Sequence, residues 1–288
     1  MAGTLYIVAT PLGNLEDISS RALRVLSDVS LIACEDTRHT RKLLSHFRIG
    51  TRTTSYHEHN EVARARQLVS RLVAGQDVAL VTDAGTPTIS DPGFRLVRAA
   101  RERALEVRTV PGPSAPLAAL AVSGLPSATF CFHGFLPTRP AARRRAIESL
   151  ARTPHTILLF ESPRRIASLL RELAGVLGSR EAMVAREMTK VHESYRSGTL
   201  EELADWASRN PLKGEVTLVI SGRSSTEHVA PDALTEEDLA PRFHELLDRG
   251  LSRREAAKHL SRETGLSSRR IYRKLLPASD AEGGPEET

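Results

Sequence analysis

The sequence is poor in aromatic residues, in cysteine and in long apolar runs. Aromatic side chains make up 4% of its 288 residues, which argues weakly against a binder built on aromatic stacking, such as an RRM or an OB-fold. The two cysteines, Cys34 and Cys131, lie far apart and outside any CxxC or metal-ligand spacing, so we expect a reducing compartment. No run approaches bilayer length, and the N-terminus lacks the pattern of a secretory signal. We therefore expect a cytoplasmic protein without a membrane segment.

Lysine is scarce as well, although the chain is basic. Only five of the 40 basic residues are lysine, and the formal net charge is +5. The planar fork of arginine suits phosphate oxygens. A GC-rich genome would produce the same preference for arginine, so the charge permits a nucleic-acid partner without requiring one.

Short apolar runs alternate with segments of helical periodicity in the first part of the chain. The runs that predict strands cover residues 5–9, 29–34, 78–82 and 106–110. The segments that predict helices cover residues 19–27, 39–47, 62–74, 93–103 and 114–121. This alternation is typical of an α/β fold with a mostly parallel sheet, whose ligand-binding loops follow the carboxyl ends of the strands.

A second α/β set follows, in which helices join neighbouring strands less regularly, so we expect a mixed sheet. Its predicted strands cover residues 156–160, 182–186 and 216–221, and its helices cover 166–177 and 200–207. Three further helices are predicted at 235–249, 253–263 and 268–276. The predicted organisation is an N-terminal α/β domain (1–122), a C-terminal α/β domain (123–224), a helix-turn-helix-like module (234–277) and a disordered tail (278–288).

The most informative motif is the loop at residues 82–93, TDAGTPTISDPG, which follows a predicted strand. Its two prolines and two glycines make it rigid while leaving backbone N–H and C=O groups free, which suits a nucleoside cofactor. It contains neither the Gly-Lys-Ser/Thr of a P-loop nor GxGxxG, which argues against nucleotide hydrolysis. Gly13 and Asn14 follow the first strand, where small residues let the backbone approach a ligand or form an ordinary turn.

Two motifs after the second strand have a structural explanation beside a functional one. Asp36 and Arg38, in EDTR, place charge at a strand exit, although Asp36 also suits the cap of the next helix. His57 and Asn60, in YHEHNE, suit polar contacts with a substrate, and Asn60 also suits a helix cap. No HExxH or cysteine set accompanies the histidines, so we expect no metal site.

The remaining motifs follow later strands. Ser114, in PGPSA, suits either a helix cap or a ligand contact. Glu161 lies in FESPRR, directly after a predicted strand. Glu187 and Lys190, in REMTKVHE, form either part of a site or a simple ion pair on a solvated face.

Together these segments resemble the tetrapyrrole methylase superfamily, in its branch that acts on RNA. Nine segments match in order between about residues 4 and 222: ATPLGNLEDIS, EDTRHT, YHEHNE, TDAGTPTISDPG, PGPSA, GFLP, FESPRR, REMTKVHE and KGE. The chain departs from the pattern at Thr82, where serine is common, at Thr88, where leucine is common, and at Arg164, where histidine is common. The last departure weakens any role for that position.

The resemblance implies two α/β domains with a cofactor cleft between them, a homodimer, and S-adenosylmethionine as cofactor. It implies methylation of the ribose 2′-hydroxyl of a cytidine in the decoding region of 16S rRNA, within the small ribosomal subunit. The residues implied to contact the cofactor or line its cleft are Gly13, Asn14, Asp83, Ala84, Gly85, Ile89, Ser114, Ala115 and Glu161.

A ribose hydroxyl reacts only when a base takes its proton or a cation stabilises the developing charge. The candidates are Asp36, Glu187 and Lys190, although a lysine must be neutral to act as a base. The residues predicted to contact RNA are Arg38, His57 and Asn60, with Arg269, Arg270 and Arg273 on the basic last helix. Two alternatives stay open: a small-molecule methyltransferase of the tetrapyrrole type, which leaves the last module without a role, and a helix-turn-helix regulator, which explains only that module.

Overall fold

The computed structural model describes residues 1–223, 236–264, 266–268, 271 and 275. Residues 1–223 form one compact unit, and the described residues after them belong to a second. The first unit contains two five-stranded sheets. No helix within the described ranges is long and apolar enough to span a membrane.

The first sheet has five strands: β1 (Thr4–Val8), β2 (Leu31–Cys34), β3 (Thr53–Ser55), β4 (Val78–Leu80) and β5 (Glu106–Val110). Their order is β3-β2-β4-β1-β5, and every neighbouring pair is parallel, so the predicted mostly parallel sheet is confirmed. The strand predicted at 29–34 begins at Leu31, because Val29 N still donates to Val25 O at the end of the preceding helix. The sequence did not predict β3, since its three polar, half-buried residues carry no apolar pattern.

Five helices accompany this sheet: α1 (Ser20–Asp28), α2 (Thr37–His46), α3 (Glu61–Val73), α4 (Phe94–Arg101) and α5 (Ala115–Val122). Local caps start the first two: Ser19 Oγ accepts from Ala22 N at 3.1 Å, and Asp36 Oδ1 accepts from Arg38 N at 2.7 Å. Helices α3 and α4 bury apolar side chains against one face of the sheet, and α1 and α2 cover the other. This two-sided cover explains why β2 and β4 are buried along their whole length.

The second sheet has five strands: β6 (Phe130–Phe135), β7 (Thr156–Glu161), β8 (Glu181–Arg186), β9 (Ser194–Thr199) and β10 (Val216–Ile220). Their order is β6-β7-β10-β8-β9. Strands β6 and β7 are parallel and the other pairs are antiparallel, which confirms the expected mixed sheet. Its helices are α6 (Pro140–Leu150), α7 (Ile166–Leu177) and α8 (Leu200–Arg209).

Three elements of this half were not predicted, each for a physical reason. The first four residues of β9 are exposed, so it lacks the alternation of a half-buried strand. A register shift interrupts β6 between Phe132 and Gly134, which breaks its two-residue period. Helix α6 buries only Ile147 and Leu150, too few for a clear helical stripe.

The described part of the second unit contains α9 (Glu236–Asp248) and α10 (Arg253–Thr264). The second of these helices, predicted at 253–263, buries an apolar face formed by Ala256, Ala257 and Leu260. The third predicted helix falls largely outside the described residues, which include only Ser268, Ile271 and Leu275 of it. The predicted domain bounds therefore stay a prediction.

Candidate active site

A cavity of about 430 Å³ lies where the loops of the first sheet face the second sheet. Strands β4, β1 and β5 are neighbours and parallel, so the loops that follow them meet at one edge. Strands β7 and β10 supply the opposite wall. The cavity is lined by seven of the nine residues predicted for the cofactor: Asp83, Ala84, Gly85, Ile89, Ser114, Ala115 and Glu161.

The loop at 82–93 is anchored to the exit of β1 by a two-residue antiparallel bridge. Thr10 N donates to Gly85 O at 2.9 Å, and Gly85 N donates to Thr10 O at 3.0 Å. Thr86 Oγ1 donates to Pro113 O at 3.0 Å, which ties the same loop to the turn before α5. Gly85 has a φ of 88°, a conformation that strains residues with a side chain. Contacts within the protein therefore hold the shape of this loop.

Gly13 and Asn14, the other two residues predicted for the cofactor, lie outside the lining of the cavity. They contact the loop after β8 instead. A Cβ on Gly13 would overlap the side chain of Lys190, and Asn14 N donates to Thr189 Oγ1 at 3.1 Å. These two residues join the two halves of the unit at the rim of the site.

Lys190 is held by two carboxylates from the second half. Its Nζ lies 3.0 Å from Glu187 Oε1 and 3.3 Å from Glu215 Oε2. Burial opposes the charge, but the hydrogen bond to Glu187 and the charge of Glu215 raise the pKa of Lys190 above its ordinary value. The pKa of Glu187 is lowered, chiefly because Glu215 N donates to it. Lys190 is therefore a fixed cation, and the neutral form that a base requires is disfavoured.

An acidic cluster surrounds Thr82 at the cavity: Glu35, Asp83 and Asp91. Thr82 Oγ1 donates to Glu35 Oε2 at 3.4 Å. Burial, with the charges of Glu35 and Asp83, raises the pKa of Asp91 to about 6. Burial and the charge of Asp83 also raise the pKa of Glu35. A carboxyl group tuned in this way exchanges a proton near neutral pH.

Asp36 lies beside this cluster, and its carboxylate is committed to Arg38. The two side chains form an ion pair at 3.0 Å, and Asp36 Oδ1 also accepts from Arg38 N at 2.7 Å. The hydrogen bond from the Arg38 side chain, followed by that from its backbone, lowers the pKa of Asp36 to about 2. Asp36 N donates to Asp83 Oδ1 at 3.3 Å, which connects this turn to the loop at 82–93.

Glu161, the last residue of β7, carries a buried carboxylate with one oxygen unpaired. Its Oε1 accepts from Ser162 N at 2.6 Å and from Arg165 Nε at 2.8 Å. Its Oε2 is buried and has no hydrogen-bond partner among the described residues. Leaving a buried charged oxygen unpaired is costly. Glu161 is among the residues that line the cavity, so we expect a donor on a bound ligand to remove that cost.

His57 and Asn60, two of the residues predicted to contact RNA, hydrogen-bond to each other at the start of α3. His57 N donates to Asn60 Oδ1 at 3.0 Å, and Asn60 Nδ2 lies 3.0 Å from His57 Nε2. Asn60 occupies the N-cap position, but its side chain makes no cap bond, and neither does that of Ser114 before α5. Arg38 is largely exposed.

The last three predicted RNA contacts lie outside the described residues: Arg269, Arg270 and Arg273. Within the described ranges, no group of three or more His, Cys, Asp and Glu side chains is arranged to hold a metal ion.

Sequence reasoning missed two carboxylates of the cavity and an aromatic side chain at its rim. Glu35 and Asp91 belong to motifs that the sequence singles out, but their raised pKa values depend on burial and on charges distant in sequence. Phe135 belongs to the GFLP segment, and its ring lines the cavity. The available signal was the position of all three within motifs at or just after the ends of strands.

Comparisons with known proteins agree with this architecture. The family model for tetrapyrrole (corrin/porphyrin) methylases matches residues 4–204. A ribosomal RNA small subunit methyltransferase I from Synechocystis sp. is 45% identical over 275 residues, 95% of this chain and 98% of that protein. A protein of the same name from Xylella fastidiosa is 46% identical over 273 residues, 94% of this chain and 98% of that protein. Uroporphyrin-III C-methyltransferase from Thermus thermophilus, solved with S-adenosylhomocysteine, has the same fold, with a TM-score of 0.55, 19% identity, and coverage of 76% of this chain and 97% of that one.

Proposed function

The chain belongs to the tetrapyrrole (corrin/porphyrin) methylase family, and on that premise we propose that it methylates the ribose 2′-hydroxyl of a cytidine in small-subunit ribosomal RNA. It is an S-adenosylmethionine-dependent methyltransferase. The choice of an RNA substrate depends on the name that two relatives share, at 45% and 46% identity over 95% and 94% of the chain. The 2′-hydroxyl and the decoding region of 16S rRNA are inferred from the nine motifs that resemble the RNA branch.

The residues of the cavity fit S-adenosylmethionine. The cavity of about 430 Å³ has the size of a small-ligand site, and it is lined by the loop at 82–93 and by the start of α5. The unpaired Oε2 of Glu161 provides a buried acceptor for an amino group. We propose that the residues at 83–85 and 89, with Ser114, Ala115 and Glu161, hold the cofactor, and that Gly13 and Asn14 shape the rim.

The chain itself has to orient the ribose hydroxyl and accept its proton, since the bound cofactor supplies an electrophilic methyl group. Asp91 suits the role of proton acceptor, because its pKa of about 6 leaves its carboxylate ionised yet basic at neutral pH. Asp36, with a pKa of about 2, is a weaker base. Lys190, fixed as a cation by Glu187 and Glu215, is suited to stabilise charge on the ribose oxygen.

The proposed RNA contacts are the six residues predicted from the sequence, three in each unit. They are Arg38, His57, Asn60, Arg269, Arg270 and Arg273. Binding that uses arginine and phosphate in this way weakens steeply with salt. The cytoplasm is the proposed location, because the ribosomal substrate is found there.

We propose a homodimer as well, on the basis of two exposed apolar side chains in a mostly charged groove beside α4. Val62 is 55% exposed and Phe94 is 66% exposed, and both line an open groove of about 1020 Å³ between α3 and α4. Large apolar side chains exposed together favour burial against another protein surface. Sedimentation at micromolar concentration checks this, and a purely monomeric species would contradict it.

The function is tested by tritiated methyl transfer from S-adenosylmethionine to small subunits that lack the modification, followed by nucleoside mapping. The expected label is on the ribose of one cytidine. Label on a base would contradict the proposal that the 2′-hydroxyl is the methyl acceptor. Transfer to uroporphyrinogen III with none to small subunits would overturn the RNA substrate and favour the small-molecule alternative.

A further inference from the structure

The phenylalanines of this chain are concentrated at two neighbouring strands. Four of the seven lie in β6 and β7: Phe130, Phe132, Phe135 and Phe160. The ring of Phe160 lies 5.0 Å from that of Phe132 and 5.5 Å from that of Phe135, measured between centroids. In a chain with 4% aromatic residues, a cluster of three touching rings requires a specific explanation.

A β-bulge in β6 creates this cluster. Phe132 pairs with Leu158 of β7 and Phe135 pairs with Phe160, so three steps along β6 match two steps along β7. In a regular strand, residues three apart point to opposite faces. The extra residue and the φ of 63° at Gly134 turn Phe135 onto the same face as Phe132. Bulges that redirect a side chain in this way are frequent beside active sites.

The face that Phe135 joins is the face toward the cavity. Phe135 and Phe160 both line the cavity, while Phe132 packs against the buried cluster under α5. Phe135 nevertheless remains 56% exposed. An aromatic ring that serves only to fill a core would be covered, so this ring is placed at the mouth of the site with one part free for a ligand.

Two unpaired cations lie in the loops that follow the strands of Phe135 and Phe160. Strands β6 and β7 are parallel, so the loops that follow them leave the sheet at the same edge, and these loops carry Arg139 and Arg164. Both side chains are exposed, and neither guanidinium makes a hydrogen bond or an ion pair within the described part of the chain. Arg165, in contrast, is committed to Glu161.

We propose that Phe135 is a stacking platform for the base of the nucleotide that is methylated, and that Arg139 and Arg164 bind the phosphates beside it. This inference rests on the proposed function and names its substrate subsite. A ribose hydroxyl reaches a recessed cavity only when its nucleotide leaves the base stack, and an aromatic face compensates for the lost stacking. Stacking accepts any base, so the platform holds the nucleotide without choosing it.

The experiment compares Phe135→Leu with Phe135→Tyr, and uses Phe130→Leu as the matched control. Phe130 lies on the same strand before the bulge and outside the cavity lining. Methyl transfer to small subunits lacking the modification gives kcat and KM, and calorimetry gives the Kd of S-adenosylhomocysteine. Phe135→Leu should raise KM about 10- to 100-fold and leave that Kd within about twofold. Phe135→Tyr keeps an aromatic face and should approach the wild type, as should Phe130→Leu.

A second readout concerns Arg164, one of the two proposed phosphate contacts. Arg164→Gln should lower the slope of log binding constant against log salt concentration by about one. Arg144→Gln, which breaks an exposed pair with Glu148, should leave the slope unchanged. An equal change in both slopes would mean that Arg164 contributes only general charge, and would overturn the phosphate contact.

Several results would contradict the proposal that Phe135 is a stacking platform. An unchanged KM in Phe135→Leu would do so, and so would an equal effect in Phe130→Leu. A matching loss of S-adenosylhomocysteine affinity would make Phe135 a cofactor contact, and dissociation of a dimer would make it an interface residue. A wild-type protein that transfers no methyl group to small subunits would instead refute the proposed function, and with it the substrate subsite.

Discussion

Replacing Glu161 with glutamine should weaken cofactor binding strongly while keeping the shape of the site. The side chain is buried, its Oε1 accepts from Ser162 N and Arg165, and its Oε2 has no partner among the described residues. We expect Oε2 to accept a hydrogen bond from an amino group of S-adenosylmethionine. A hydrogen bond to a charged group contributes about 1.5–3 kcal/mol, so Glu161→Gln should raise the Kd roughly 10- to 100-fold.

The assay is calorimetric titration with S-adenosylhomocysteine, with thermal melting to verify folding. Arg165→Gln is the matched control, because it removes the ion pair of Glu161 but leaves the charge of the carboxylate. We expect a smaller loss of affinity in that variant. If Glu161→Gln binds within twofold of the wild type, the unpaired oxygen does not receive the cofactor. If both variants lose affinity equally, the ion pair, and not Oε2, is responsible.

Three further predictions test the loops and the base. Gly85→Arg should abolish binding of S-adenosylhomocysteine in the same titration, since a long side chain at this lining position would occupy the cavity and the φ of 88° strains any residue with a side chain. Gly13→Ala should lower stability by about 1–3 kcal/mol in denaturant unfolding, because its Cβ meets Lys190, whereas Gly175→Ala meets nothing within 4 Å and should not. Asp91, with a pKa of about 6, should give a kcat that falls as pH drops below 6, and Asp91→Asn should lower kcat and remove this dependence. Because its folded-state pKa is raised, ionisation of Asp91 opposes folding as pH rises from about 4 to 6, so Asp91→Asn should gain stability over the wild type at pH 7.5 but not at pH 3.5.

Where function depends on local pattern, the sequence predicted it well. The loop at 82–93 was identifiable because a buried strand ends there and prolines and glycines follow. That is a local signal, and the structure places the loop at the wall of the cavity. The mixed second sheet was likewise predicted from how irregularly its strands alternate with helices.

Where function depends on contacts between residues distant along the chain, the sequence carried no signal that predicted them. The raised pKa of Asp91 depends first on its burial and then on the charge of Glu35, which lies in a different loop. Asn60 has the residue type and position of a helix cap, yet its amide oxygen accepts from His57 N instead. The direction in which Phe135 points is set by a bulge, which removes the alternation by which strands are recognised.

The bridge between Thr10 and Gly85 has a kinetic consequence. Because the backbone groups of both residues are already paired, little conformational entropy remains to be lost when a nucleoside enters. The nucleoside should then bind to a preformed cavity without a slow conformational step. Variants of the cavity should differ mainly in the dissociation rate of the nucleoside. In hydrogen–deuterium exchange on the ligand-free protein, the amides of Thr10 and Gly85 should be protected as strongly as those of β1.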